Sequence, residues 1–253
     1  MGYIELINFP EYLESHQVYI LILTSILSSF VSSAFGIGGG AIFIGVLALF
    51  INPLALLPVH GAVQIGSNFG RMLLMINEVK KDVIIPFLIG SLIGSGFGGL
   101  LFVQFPPWLI QLLIGSFILW TIYGNFPEIK AKYFSIGGIF SSFLTMFFGA
   151  TGPFVASMVR TLNLNPIQHT STHSALMTIQ HLIKVIVFIL IGFSLSSYIH
   201  LIIVLILSGL IGTYFGKFLL IKLGKKYFKI FLNLILTLIS LNLIFTGFKD
   251  GLL

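Results

Sequence analysis

The sequence lacks cysteine altogether and is poor in charged residues. The absence of cysteine excludes disulfide bonds, thiolate metal sites and cysteine nucleophiles. Charged residues make up 8% of the 253 residues, whereas soluble domains contain about 25%. The stretches between consecutive charges are long enough to hold helices of about 20 residues, which cross a hydrocarbon core about 30 Å thick, so we predict an integral membrane protein. Three such stretches lie between Glu14 and Arg71, between Asp82 and Glu128, and between Lys229 and Lys249.

Nucleic-acid and nucleotide binding are not predicted. The formal charge is +6, but most lysines lie in short gaps between apolar runs, where lysines set membrane orientation. Gly36, Gly38 and Ala41 fit the spacing of a dinucleotide-binding turn, yet an apolar, membrane-type segment precedes them and the next acidic residue is Glu78. We therefore predict no cofactor, no metal and no nucleic-acid partner.

The apolar pattern predicts an all-α fold with about eight long transmembrane helices and two short half-helices. The short segments, 40–50 and 153–163, follow glycine-rich breaks. At about 1.5 Å per residue they cannot cross a bilayer alone. The long segments are 17–35, 53–76, 83–103, 108–124, 133–150, 166–192, 198–220 and 227–248.

The two halves of the sequence resemble each other, which predicts two transmembrane repeats, 17–124 and 133–253, joined by a linker at 125–132. A shift of 118 residues lays LIGSGFG (92–98) on LIGTYFG (210–216). A shift of 113 residues, without gaps, pairs Phe35 with Phe148, Gly36 with Gly149, Gly39 with Gly152, Asn52 with Asn165, Pro53 with Pro166, His60 with His173 and Arg71 with Lys184.

The distribution of lysines predicts the orientation in the membrane. Lysines cluster at 80–81, 130–132 and 222–229, so these loops are expected in the cytoplasm. The acidic segment 1–16, which lacks the basic start of a secretory signal peptide, and the C-terminus are then extracytoplasmic. Because the first repeat starts outside and the second inside, we predict an inverted repeat in which 17–50 and 133–163 form hairpins.

The two glycine-rich breaks, FGIGGG (35–40) and FGATGP (148–153), are candidate binding elements. Unwound backbone at membrane depth has to be buried or line an aqueous cavity, and the N-termini of half-helices present free N–H groups to an anion. The alternative is close helix packing, which is how we interpret the glycines of 90–99 and 209–216. The site residues predicted here are Gly38, Gly39, Gly40, Thr151 and Gly152.

Polar residues at helical spacing follow each break and share one helix face. Polar groups at membrane depth typically face a binding site or an aqueous path. The alternatives are structural histidines, proton-carrying histidines, a membrane anchor at Arg71, and a metal held by His169 and His173. The site residues predicted on this face are His60, Gln64, Asn68 and Arg71 in the first repeat and His169, Thr172, His173, His181 and Lys184 in the second.

A glycine-rich break, an apolar half-helix and an Asn-Pro step occur twice, and HTSTHSA opens the helix after the second step. This arrangement resembles the TauE/SafE family of sulfite-exporter-like membrane transporters over residues 17–248. The resemblance implies a helical transporter of the cytoplasmic membrane for small anions such as sulfite, sulfonates or other organosulfur acids. It places the family's glycine-rich motif at 36–40 and 149–153, and its polar motif at 60–68 and 170–174.

We therefore predict a secondary transporter of a small anion that works by alternating access, with protons as a candidate coupling ion. A passive anion channel is the alternative. An enzyme is not predicted, because no pair of carboxylates lies in any apolar segment. The expected partners are the anion and the lipid bilayer, and the sequence leaves a homo-oligomer open.

Overall fold

The structure is a computed structural model that describes residues 9–102, 105–125, 129–219 and 226–252. The described residues form α-helices, short 3₁₀ turns and loops, and contain no β-strand, which confirms the prediction of an all-α fold. Each predicted apolar segment overlaps one of the helices. The helices are α1 (Ser15–Phe35), α2 (Gly39–Leu47), α3 (Pro53–Leu73), α4 (Ile84–Phe102), α5 (Pro107–Tyr123), α6 (Phe134–Phe148), α7 (Gly152–Arg160), α8 (Pro166–Leu190), α9 (Ile199–Leu219) and α10 (Lys226–Leu252).

Within the described residues, four helical segments are long and apolar enough to cross a membrane: Ser15–Phe35, Lys81–Phe102, Pro166–Leu190 and Ser196–Leu219. The surface and the interior have the polarity expected of a multi-pass membrane protein. Large apolar side chains face outward, with Phe97 64% exposed and Leu100 65% exposed. Serine, threonine and histidine side chains are buried between the helices.

Both breaks begin with a glycine in a conformation that ends a helix. Gly36 follows α1 with φ of 82°, and Gly149 follows α6 with φ of 73°. A positive φ of this kind is readily adopted only by glycine and stops a helix at its C-terminus. Gly36 and Gly149, which are paired in the repeat alignment, therefore both end a helix with a positive φ, α1 in one case and α6 in the other.

The helices after the breaks are short, and each folds back along the helix before it: α2 along α1, and α7 along α6. α2 and α7 have nine residues each, about 14 Å of helix. A Cβ atom at Gly137 of α6 would lie 2.8 Å from the Met158 sulfur of α7, and the Thr161 hydroxyl donates to the Ile129 carbonyl at 3.0 Å. α6 and α7 thus form a hairpin whose two ends meet.

An Asn-Pro step then starts the next long helix in each half. The Asn52 side chain accepts a hydrogen bond from the backbone N–H of Leu54, and the Asn165 side chain accepts from Ile167 and Gln168. Proline follows as the first helical residue, where its missing N–H leaves no intrahelical bond unmade. α3 and α8, which carry the predicted polar face, begin through the same local chemistry.

Glycine faces allow the closest helix contacts, as the sequence predicted for 90–99 and 209–216. A Cβ atom at Gly90 or Gly94 of α4 would overlap the backbone carbonyls of Ser135 or Ile139 in α6. In the second half, a Cβ atom at Gly212 of α9 would overlap the Ile26 carbonyl in α1. Two helix pairs, α4 with α6 and α1 with α9, therefore pack with almost no side chain between their backbones.

Candidate functional site

A small cavity lies where the two glycine-rich breaks meet. Its volume is about 30 Å³, room for about two water molecules. The wall combines both breaks with the polar faces of α3 and α8. The residues of the wall are Ser32, Ile37, Gly38, Gly40, Ala41, His60, Gln64, Asn68, Arg71, Gly149, Ala150, Gly152, Pro153, His173, Met177 and His181.

A histidine holds the first turn of each short helix. His60 Nε2 lies 3.2 Å from the Gly40 carbonyl oxygen, and His173 Nε2 lies 3.0 Å from the Gly152 carbonyl oxygen. A carbonyl oxygen only accepts, so Nε2 carries the hydrogen in both rings. Nδ1 of each ring is buried without a hydrogen-bond partner among the described residues, which leaves one unused polar atom per histidine beside the cavity.

Arg71 is a buried cation in the cavity wall. Its side chain is 1% exposed and does not extend to a surface as a membrane anchor would. The guanidinium donates at 3.4 Å to Ser174 in α8 and at 3.4 Å to Ser67 in its own helix, with Asn68 at 3.5 Å. These acceptors are neutral and the contacts are long, so much of the guanidinium's hydrogen-bonding capacity remains available.

Lys184 is a second buried cation, outside the cavity wall. It is fully buried, and its ammonium has no hydrogen-bond partner among the described residues. The side chain lies against α3, where a Cβ atom at Gly61 would be 2.7 Å from Lys184 Cε. The ring of His181, which does line the cavity, lies 5.5 Å from the ring of His60 between the two helices.

Among the residues that the structure describes, no carboxylate accompanies these two cations. The seven acidic residues of the chain are Glu5, Glu11, Glu14, Glu78, Asp82, Glu128 and Asp250, and none belongs to the buried residues of the described ranges. Asp82 is instead paired with Lys80, whose ammonium nitrogen lies 2.7 Å from an Asp82 carboxylate oxygen. A buried cation without a counter-charge is strongly destabilising, so an anion is the ligand that this interior favours.

Four other predicted site residues lie outside the cavity wall. Gly39 packs against α1, where it meets the Ser28 carbonyl. The Thr151 hydroxyl accepts from the Gln180 amide at 2.6 Å, and the Thr172 hydroxyl accepts from the backbone N–H of Lys80 at 3.0 Å. Thr151 therefore helps to hold the second break in place, and Thr172 helps to hold the α3–α4 loop.

His169, the last of these four, bonds through Nε2 to the Ala156 carbonyl at 3.3 Å. Its ring stacks on that of His173 with the centroids 6.4 Å apart. The Nε2 atoms of the two rings thus contact different carbonyl oxygens of α7. Both bonds join α8 to α7, and the two Nε2 atoms do not point to a shared metal ion.

Ser32 is a residue of the wall that the sequence prediction missed. It lies on α1, four residues before Gly36, and its repeat counterpart Thr145 lies four residues before Gly149. That i, i+4 spacing puts a hydroxyl one turn before each break. The repeat alignment therefore contains the signal that would have identified it.

Comparison with known proteins identifies the family. Residues 21–243 match the family described as "Sulfite exporter TauE/SafE". Comparisons with curated proteins and with solved structures gave no match. Since the matched region covers most of the chain, the protein belongs to the TauE/SafE sulfite exporter family.

Proposed function

We propose that the protein is a secondary transporter that moves a small anion, such as sulfite, a sulfonate or another organic acid, across the cytoplasmic membrane by alternating access. The observation that carries this proposal is the pair of buried cations, Arg71 and Lys184, beside a cavity where both breaks meet. Family membership supports a transporter of sulfite-like anions. The anion would supply a negative charge, which the buried part of the described residues lacks.

The short helices add to the preference for an anion. Gly38 and Gly40 at the start of α2, and Gly152 and Pro153 at the start of α7, belong to the cavity wall. The N-terminus of a helix carries a partial positive charge, and its first N–H groups lack intrahelical partners. Two such ends at one cavity favour an oxyanion with several acceptor oxygens.

Contacts between helices support an inverted arrangement of the two repeats. α3 and α8 run antiparallel, because Gly61 lies beside Lys184 whereas Arg71 lies beside Ser174. Antiparallel packing of these two counterparts is expected when the second repeat is inverted.

The flanking pairs agree with this arrangement. α1 and α9 run parallel, since the Ser25 hydroxyl donates to the Leu205 carbonyl and the Ser33 hydroxyl donates to the Thr213 carbonyl. The counterpart pair, α6 with α4, is parallel as well, with Ser135 beside Gly90 and Met146 beside Gly98. Exchange of the repeats therefore maps one pair onto the other.

The loops separate into two ends with different charge. At one end, the Ser171 hydroxyl bonds the Met75 carbonyl at 2.7 Å and the Lys217 ammonium bonds the Leu74 carbonyl at 2.9 Å. At the other, the Tyr12 hydroxyl lies 3.2 Å from that of Tyr198. The first end holds the lysines of the α3–α4 loop and belongs in the cytoplasm by the positive-inside tendency.

Cysteine labelling tests this orientation in a chain that has no cysteine of its own. We expect cysteines introduced at Glu11 and at Asp250 to react with an impermeant maleimide in intact cells, because both positions lie at the extracytoplasmic end of the proposed arrangement. A cysteine at Lys81, exposed in the α3–α4 loop, should react only after permeabilisation. The reverse pattern would overturn the proposed orientation.

Transport is tested with the purified protein in liposomes. Vesicles preloaded with unlabelled sulfite are expected to accumulate labelled external sulfite transiently, because a carrier that alternates between two sides exchanges one anion for another. Initial uptake should saturate with sulfite concentration. The measurement is counterflow, with protein-free vesicles and external choline chloride as controls.

A channel gives a different result in the same vesicles. Uptake through an open pore follows the gradient, stays linear in concentration over a wide range and shows no transient accumulation. Linear uptake without counterflow would refute alternating access, and absence of sulfite and sulfonate movement altogether would refute the proposed substrate class.

A further inference from the structure

We propose that Lys184 forms a second anion subsite, distinct from the Arg71 subsite in the cavity, and that a transported anion occupies the two in succession. The inference rests on the proposed transport function and assigns a path within it. Its ligand is a small oxyanion, such as sulfite or the sulfonate group of a larger acid.

The two cations occupy equivalent positions in the repeats and each contacts the other half. The shift that lays His60 on His173 also lays Arg71 on Lys184 and Gly61 on Ser174. Arg71 of α3 contacts Ser174 of α8. Lys184 of α8 contacts Gly61 of α3. Each of the two helices thus places its cation against the repeat-equivalent position of the other helix.

The partners differ in one chemical respect. Ser174 gives the Arg71 guanidinium a hydroxyl acceptor at 3.4 Å. Gly61, at the equivalent position opposite Lys184, has no side chain and therefore no acceptor. A Cβ atom there would lie 3.6 Å from the Lys184 ammonium. The protein supplies an acceptor to one cation and leaves the other without any among the described residues.

An anion is the group that complements this gap. An ammonium group offers three donors and no acceptor, and burying it unpaired is strongly unfavourable. His60 and His181 lie close enough to interact electrostatically with Lys184. Nδ1 of each of these rings is also buried without a hydrogen-bond partner in the described part of the chain. His60 Nδ1 carries no hydrogen while Nε2 of that ring donates to the Gly40 carbonyl, so the donors are the Lys184 ammonium and, in its Nδ1–H tautomer, His181. These two groups together suit an oxyanion with two or three oxygen atoms.

The two subsites differ in their access to the cavity. Arg71 belongs to the cavity wall, whereas Lys184 does not, although His60 and His181 border both. The structure therefore has the Arg71 subsite open to the cavity and the Lys184 subsite closed. When the two repeats exchange their conformations during transport, the Lys184 subsite opens to the cavity and the Arg71 subsite closes.

Sulfite-dependent thermal stabilisation of the purified protein tests the second subsite. A ligand of the folded state raises the unfolding temperature by an amount that grows with the logarithm of its concentration above its dissociation constant. We expect Lys184→Met and Arg71→Met each to retain a stabilisation by sulfite, at concentrations at least about fivefold higher than the wild type needs, and the double variant to show none. Lys184→Arg, which keeps the charge, should retain most of the wild-type response. Leu182→Met, on the exposed face of the same helix, is the matched control.

The outcomes separate this inference from the proposed function. A Lys184→Met protein with the wild-type response, or an Arg71→Met protein with no response, would overturn the second subsite while leaving anion transport standing. A folded wild-type protein that no sulfite or sulfonate stabilises would overturn both. The melting curve without ligand reports whether each variant is folded.

Discussion

Sulfite counterflow is expected to fall by about 100-fold when Arg71 is replaced with methionine. Charge-assisted hydrogen bonds contribute about 1.5–3 kcal/mol each, and a tenfold change corresponds to about 1.4 kcal/mol. An anion that accepts two such bonds from the guanidinium therefore loses about two orders of magnitude in binding at the Arg71 subsite. Initial rates in proteoliposomes, measured at several sulfite concentrations, check this expectation.

The same substitution should leave folding intact or improve it. Methionine is similar to arginine in volume. Removal of a buried charge that has no carboxylate partner among the described residues is often neutral or stabilising. Arg160→Met, at an exposed position at the end of α7, is the matched control and should transport like the wild type. Counterflow of Arg71→Met within a factor of two of the wild type would place the anion elsewhere.

Replacing Gly94 with alanine is expected to destabilise the protein by about 2–3 kcal/mol, the upper part of the range for overpacked interiors. The new Cβ atom would overlap the carbonyl of Ile139, and a backbone group in a parallel helix cannot rotate away as a side chain can. We expect a fall of about 5–10 °C in the unfolding temperature, measured by thermal melting of the purified protein.

Gly96 provides the control two residues further along α4. A Cβ atom at Gly96 would meet nothing within 4 Å, so Gly96→Ala should be neutral or stabilise the helix by about 0.5–1 kcal/mol. Equal melting temperatures for the two alanine variants would contradict the assigned contact between α4 and α6. Gly212→Ala in α9 should reproduce the effect of Gly94→Ala, because it meets the Ile26 carbonyl in the same way.

Local chemistry explains why much of this fold was predictable from the sequence. The Asn-Pro steps at 52–53 and 165–166 and the glycines at 36 and 149 act on their own backbone, so their effect depends little on distant residues. Spacings of three and four likewise place His60, Gln64 and Asn68 on one face regardless of the partner helix. All three residues lie in the wall of the cavity.

Features that depend on how two helices cross were not predictable in the same way. Thr172 shares a helix with His173, yet its hydroxyl bonds the backbone of Lys80, because the α3–α4 loop passes over that side of α8. Lys184 shares the repeat position of Arg71 but lies behind Gly61 instead of at the cavity. Helical periodicity gives the direction of a side chain from its own axis, not the identity of the neighbour it meets.

The size of the cavity has a consequence for the kinetics of binding. Space for about two water molecules is too little for the proposed substrate sulfite, which has four non-hydrogen atoms, so the proposed transport requires the cavity to widen before the anion enters. Binding then waits for a motion of the helices, which occurs in microseconds to milliseconds. The observed association rate in a rapid-mixing experiment should reach a plateau at high sulfite concentration, and the height of that plateau is the opening rate of the protein itself.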